Sequence, residues 1–235
     1  MQARSAGVTT NDPSRLRARP NAKPGGELSA GLRPLGRSPR RDGLLYVPAG
    51  YRPDRPAPLV VLLHGAGGSA HHGIALLREL ADAAGLLLLA PDSRHSSWDI
   101  ISDDAYGPDV AFLDGALEQL FRSAAVDPAR IAIGGFSDGA SYALSLGLTN
   151  GDLFTHVIAF SPGFMAPAEQ RGRPRIFISH GTQDQVLRID PCSRRLAPLI
   201  RVAGYDLRYQ EFEGPHVVPP EIARDALRWF LPEAG

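Results

Sequence analysis

Ser137 stands in Gly134-Gly135-Phe136-Ser137-Asp138-Gly139, after an apolar run, Ile131 to Gly134, and before a stretch that reads as a helix opening at Asp138. A strand that turns straight into a helix pushes its corner residue outward and strains the backbone there. It also brings together the positions two residues either side, where side chains would collide. A serine at such a corner is a nucleophile that needs a base. Two further groups follow apolar runs: Asp184 in His180-Gly181-Thr182-Gln183-Asp184, after Arg175 to Ser179, and His216 in Gly214-Pro215-His216, after Leu207 to Phe212. An imidazole can take the serine proton and return it to a leaving group, while a carboxylate orients the imidazole and stabilises its charged form. Ser137, His216 and Asp184 are together the residue types that nucleophilic acyl transfer requires.

Other residues of the same types read differently. Asp190 precedes Pro191 and suits a helix N-cap with proline at the first helical position. His64 and His180 precede glycines at strand ends and read as loop braces. His71, His72 and His95 read as solvated, and His156 opens a strand. His64, His71 and His72 have no accompanying carboxylate spacing, so neither a metal site nor a cofactor is expected. Cys192, the one cysteine, reads as a small packing residue and excludes an internal disulfide.

The elements that must position these groups alternate. Leu28 to Leu35 and Gly43 to Val47 suggest an antiparallel hairpin at a sheet edge. Leu59 to Leu63, apolar throughout, suits a central parallel strand covered on both faces. Ser69 to Ala84 reads as one helix capped by Gly85, and Leu86 to Ala90 as a strand stopped by Pro91. Asp92 to Pro108 reads as a long polar loop, and Asp109 as the N-cap of a helix with Val110, Leu113, Leu117, Leu120 and Ala124 on one face. Strands at Thr155 to Phe160, Arg175 to Ser179 and Leu207 to Phe212 alternate with helices near Pro191 to Val202 and Glu221 to Phe230. The pattern implies an α/β fold with a doubly wound, mostly parallel sheet, whose chemistry lies beyond the carboxyl ends of its strands.

With His64-Gly65-Ala66-Gly67-Gly68, Gly135-Phe136-Ser137-Asp138-Gly139, His180-Gly181-Thr182-Gln183-Asp184 and Pro215-His216 in that order, the chain resembles the α/β-hydrolases. Within them it is similar to the small phospholipase/carboxylesterase and polyhydroxyalkanoate-depolymerase-like esterases, over about Glu27 to Pro232. The resemblance implies an α/β-hydrolase fold, with a mostly parallel central sheet and helices on both faces. It also implies a serine carboxylic-ester hydrolase working through an acyl-enzyme. Ester cleavage then needs oxyanion donors already in place, which the backbone N–H groups of Ala66 and Asp138 would supply. Only Ser161 to Pro174 separates two strands after the nucleophile helix, too short for a lid domain, so an open groove is expected. Its candidate walls are Trp98, Phe164, Met165, Val186, Leu187, Val217 and Val218. Such a groove suits short to medium acyl esters, aryl esters or a polyester chain. A peptidase, an acyltransferase or a non-catalytic binding module on the same fold are the alternatives.

Composition bounds these readings. At 235 residues and 43% hydrophobic the chain can bury one large core, so residues 25–235 read as a single catalytic domain. The zero net charge divides into +7 for Met1 to Arg41 and −7 for the remainder, which disfavours nucleic-acid binding by the folded part. Met1 to about Pro24 is Arg-rich with little apolar material and reads as a disordered arm. Pro13, Pro20 and Pro24 interrupt the amphipathic helix of a transit peptide, and no apolar centre marks a secretory signal. No run approaches the ~18 apolar residues of a membrane span. A soluble, cytoplasmic protein acting on a small or polymeric ester is expected, with no oligomeric state specified.

Overall fold

The computed structural model describes residues 12–21, 25 and 28–231. Among the described residues eight strands form one sheet: β1 (Gly31–Pro34), β2 (Gly43–Val47), β3 (Ala57–Leu63), β4 (Leu87–Pro91), β5 (Val126–Phe136), β6 (His156–Phe160), β7 (Arg175–Gly181) and β8 (Leu207–Phe212). Their order is β1-β2-β4-β3-β5-β6-β7-β8. The β1–β2 hairpin joins β4 antiparallel at one edge, and every other pair is parallel. Around the sheet lie α1 (Ala70–Ala75), α2 (Ala81–Ala84), α3 (Asp99–Ser102), α4 (Pro108–Ser123), α5 (Asp138–Thr149), α6 (Ser193–Val202) and α7 (Pro220–Phe230). This is a mostly parallel α/β sheet with helices on both faces.

The period of two along β3 divides the core. Leu59, Val61 and Leu63 pack with α4, α5 and α6, whereas Val60 and Leu62 pack with α1, α2 and α7. Both sets are fully buried. The register Leu63↔Gly135 brings the ends of β3 and β5 level, so the loop after Leu63 and the corner at Ser137 meet above the sheet.

Three local expectations need correction. Ser69 to Ala84 is not one helix: α1 ends at Ala75, a 3₁₀ turn follows at Arg78–Leu80, and α2 completes the segment. The tighter turn keeps Leu77 and Ala81 on the sheet with Ile74, while Leu80 and Ala84 are only partly buried. Asp109 is not an N-cap, because Pro108 begins α4 and Gly107 caps it. The Asp109 carboxylate instead folds back, accepting from Arg94 N–H at 2.6 Å and Asp99 N–H at 2.7 Å. Asp190 caps no helix either. Cys192 precedes α6, and Asp190 pairs with Arg194 at 2.9 Å.

Of the stretch expected as a disordered arm, residues 1–11 and 22–24 lie outside the described residues. Between them Asp12 to Asn21 packs on the domain rather than standing free. Leu16 enters the core at 1% exposure. Its N–H donates to Asn150 Oδ1 at 2.9 Å, and Asn150 Nδ2 donates to the Ser14 carbonyl at 2.9 Å. Arg15 and Arg19 both pair with Asp152, and Asp114 accepts the N–H groups of Arg17 and Ala18. Directed polar contacts and one buried leucine offset an ordering cost that the composition alone does not meet.

Helix α5 begins at the Ser137 corner and is buried from Gly139 to Thr149. Its hydroxyls form a ladder at four-residue spacing: Ser141 Oγ donates to the Ser137 carbonyl, Ser145 Oγ to that of Ser141 and Thr149 Oγ1 to that of Ser145. Each hydroxyl oxygen also accepts a backbone N–H from the chain crossing between β6 and β7, from Gly163 (2.9 Å), Ala166 (2.9 Å) and Ala168 (3.1 Å). The ladder ties that crossing to α5, beside Met165, which packs against the core.

Candidate active site

The corner after β5 has the geometry its glycines require. Ser137 holds φ 57° and ψ −121°, a strained conformation for a residue with a side chain. A Cβ on Gly135 would lie 2.5 Å from Gly139 backbone, and one on Gly139 only 2.2 Å from the Leu63 carbonyl oxygen. Neither position has room for a side chain. The Ser137 N–H donates to the Phe160 carbonyl at 3.0 Å, tying the strained residue to β6.

Ser137, His216 and Asp184 converge from the ends of β5, β8 and β7. His216 Nδ1 lies 2.5 Å from Asp184 Oδ2, and its Nε2 lies 2.9 Å from Ser137 Oγ. A carboxylate only accepts, so Nδ1 carries the proton and Nε2 is free to accept from the serine hydroxyl. Asp184 is 4% exposed, and its Oδ1 also accepts the N–H groups of Val186 (2.9 Å) and Leu187 (2.8 Å). Burial acts to raise the Asp184 pKa. The hydrogen bonds from His216 and those two amides outweigh it and hold the carboxyl below its ordinary value. The group therefore stays ionised beside the imidazole.

The loop after β3 comes against the same serine. A Cβ on Gly65 would lie 3.3 Å from Ser137 Cβ, so the Gly65-Ala66 backbone borders Ser137 directly. Among the described residues, neither the Ala66 N–H nor the Asp138 N–H donates to any protein group. The Asp138 N–H lies at the start of α5, where the helix dipole favours negative charge.

A family model described as Phospholipase/Carboxylesterase matches residues 110–225. Feruloyl esterase C of Emericella nidulans is 28% identical over 162 residues, covering 64% of this chain; the chain spans 57% of that protein's length. Among solved structures, esterase PE8 aligns with a TM-score of 0.64 at 24% identity, over 87% of this chain and 98% of that one. FphF, a fluorophosphonate-binding serine hydrolase of Staphylococcus aureus, aligns with a TM-score of 0.67 at 15% identity, over 88% of this chain and 100% of that one. The chain has the α/β-hydrolase fold.

On this fold an apolar groove of about 490 Å³ extends from His216 between α1 and α7, walled by Phe136, Leu76, Val217, Val218 and Ala223. Val217, 44% exposed, therefore borders a hollow beside the imidazole. Phe164 lines a separate hollow of about 430 Å³ with Ile100, Ile101 and Tyr106. Leu187 lies across from Gly163, Met165 is half-buried against the core, and Val186 projects into solvent at 70% exposure. Trp98 is the correction. It is 1% exposed, its Nε1–H donates to the His64 carbonyl at 2.9 Å, and its ring stacks on Tyr142 with centroids 5.1 Å apart. It anchors its loop and walls no groove.

That loop is not merely polar. It contains α3, and two buried carboxylates knit it: Asp99 accepts from Gly107 and Asp109 N–H, while Asp109 accepts from Arg94 and Asp99 N–H. Burial, with the neighbouring Asp99 charge, pushes the Asp109 carboxyl up to about 6. His64 and His180 do brace their loops. Ser93 N–H donates to His64 Nε2 at 3.0 Å, and His180 Nε2–H donates to the Leu187 carbonyl at 2.7 Å. Sequence reasoning missed the α5 hydroxyl ladder, although Ser141, Ser145 and Thr149 at intervals of four within an apolar helix are a readable signal. Among the described residues no three His, Cys, Asp or Glu side chains group to hold a metal ion, and no helix is long and apolar enough to cross a membrane.

Proposed function

We propose that this α/β-hydrolase is a serine carboxylesterase that works through an acyl-enzyme, with Ser137 as nucleophile, His216 as general base and acid, and Asp184 as the group that orients the imidazole. The observation that carries this reading is the continuous chain from Ser137 Oγ through His216 to Asp184, at 2.9 Å and 2.5 Å, opening beside an apolar groove.

Ser137 Oγ attacks the ester carbonyl as its proton passes to His216 Nε2. The N–H groups of Ala66 and Asp138 receive the resulting oxyanion. Collapse breaks the carbonyl carbon–alkoxide bond, and His216 delivers its proton to the departing alcohol. Water then repeats the sequence on the acyl-enzyme, releasing the carboxylic acid and free Ser137. Asp184 remains ionised throughout.

Short to medium and aryl esters suit the apolar groove, and the similarity to a feruloyl esterase supports testing aromatic acids first. Ser137→Ala should abolish hydrolysis of a p-nitrophenyl short-chain ester while leaving the melting curve intact, and should prevent labelling by a fluorophosphonate. Turnover retained in that variant would overturn the assignment.

A further inference from the structure

The two proposed oxyanion donors belong to different elements. Ala66 lies in the loop after β3, and Asp138 opens α5. A donor pair stabilises an oxyanion only when both N–H groups stand at ~2.7–3.1 Å from one point, so something must hold the two elements in register. Residues 93–98, which come from neither, bind both.

Four contacts make the connection. Toward the β3 loop, Ser93 N–H donates to His64 Nε2 (3.0 Å), Trp98 Nε1–H donates to the His64 carbonyl (2.9 Å), and the Ser96 carbonyl accepts Gly67 N–H (2.7 Å). These grip the residues on both sides of Ala66. Toward α5, Ser97 Oγ–H donates to Asp138 Oδ2 at 2.5 Å. Ser97 is 7% exposed, so little water competes for the bond. The His64 ring needs no charge for its part. Its Nδ1 faces the Gly65 carbonyl at 2.7 Å and donates there, leaving Nε2 to accept.

A carboxylate next to the nucleophile is a liability in this chemistry, since its charge opposes the charge forming on the substrate oxygen. The bond to Ser97 holds Oδ2 on the loop and answers the charge with a donor. We infer that Ser97 is a positioning residue of this site: through Asp138 it fixes the α5 donor against the β3-loop donor and keeps the Asp138 charge from the oxyanion. The sequence gives no hint of this, because Ser97 and Asp138 are 41 residues apart.

This inference rests on Ser137 being the nucleophile, so Ser137→Ala is assayed alongside. Ser97→Ala should lower kcat for a p-nitrophenyl ester about tenfold with KM within about twofold, short of the ~10²–10³ lost when an oxyanion donor is removed outright. Because Ser97 is buried, Asp138→Ala cuts the same bond from the half-exposed side as a second variant, and a loss of kcat of more than about twofold but smaller than that of Ser97→Ala is expected, since the opposing carboxylate goes with the tie. A role confined to packing would add up, whereas a single tie is cut only once. The double variant should therefore be no slower than the slower single. Either single variant keeping kcat within twofold while folded, or losses that multiply in the double, would overturn the role of Ser97. If Ser137→Ala is inactive, that result removes this inference alone; if Ser137→Ala keeps turnover, both readings fall.

Discussion

His180 Nε2 lies 3.2 Å from Asp184 Oδ2, so a second imidazole faces the carboxylate that holds His216. His180 is fully buried, and its Nδ1 faces Ser193 Oγ at 2.7 Å. The Leu187 carbonyl accepts from Nε2, so Nδ1 accepts from the serine and the ring is neutral. Burial, the largest cause, holds its pKa below the ordinary value. Asp184 receives its donors from His216 on Oδ2 and from the Val186 and Leu187 amides on Oδ1, and the His180 ring borders Oδ2 while holding the Leu187 carbonyl of the same loop. In His180→Ala the Leu187 carbonyl loses its donor, the loop that presents the Val186 and Leu187 amides to Asp184 loosens, and the carboxylate, less well held, becomes more basic and favours the charged form of the imidazole it orients. The acid limb of the kcat/KM profile should move to higher pH, with a stability loss of about 1–3 kcal/mol from the groups left unpaired. A pH–rate profile beside a denaturation curve measures both.

Trp98 joins the β3 loop to α5 through one hydrogen bond and two ring contacts. Trp98→Phe keeps a ring in the site but leaves the buried His64 carbonyl without its indole donor. About 1–3 kcal/mol of stability should be lost, and KM for small esters should be unchanged, because the side chain does not line the groove. A raised KM with unchanged stability would return Trp98 to the groove wall.

Ser145 is the middle rung of the α5 ladder, donating to the Ser141 carbonyl and accepting Ala166 N–H. Ser145→Ala strands that amide and should cost about 1–3 kcal/mol in chemical denaturation. Hydrogen exchange at Ala166 should accelerate, while exchange in β3 follows only the global change.

His156 is 8% exposed and lies edge-on to Trp229 and Phe230. Burial, reinforced by the Arg175 charge, lowers its pKa from 6.5 to about 4, with Asp206 opposing. The folded state therefore binds this proton less readily than the unfolded chain. The associated stability is complete above the unfolded value and is lost as pH falls through the folded one, on the order of 3 kcal/mol between pH 6.5 and 4. In His156→Phe this part of the acid destabilisation should vanish, which melting temperatures across that range will detect.

The mostly parallel sheet and the elbow are legible in the sequence because their signals are local. Leu59 to Leu63 must be covered on both faces, and Gly135 and Gly139 flank Ser137 because neither has room for a Cβ. Chain order brings Asp184 and His216 to neighbouring strand ends by topology alone. Trp98 misleads for a physical reason. Its sequence neighbours Ser96, Ser97 and Asp99 look solvated, yet Ser97 is bonded to Asp138 and Asp99 to Asp109, partners 41 and 10 residues away. Polarity predicts exposure only where water is the partner. The helix Ser69 to Ala84 fails more simply, since helical spacing does not distinguish one helix from two joined by a tighter turn.

Leu16 and Asn150, bonded in the folded protein, are separated by 134 residues. At ~5–20 residues per second, ribosomal synthesis spends roughly 7–27 s between them. Throughout that interval the nascent chain carries an apolar side chain and two arginines, Arg15 and Arg19, whose acceptor at Asp152 does not yet exist. The first described segment of the protein is thus among the last able to dock, and its attachment marks the completion of α5 rather than the start of folding.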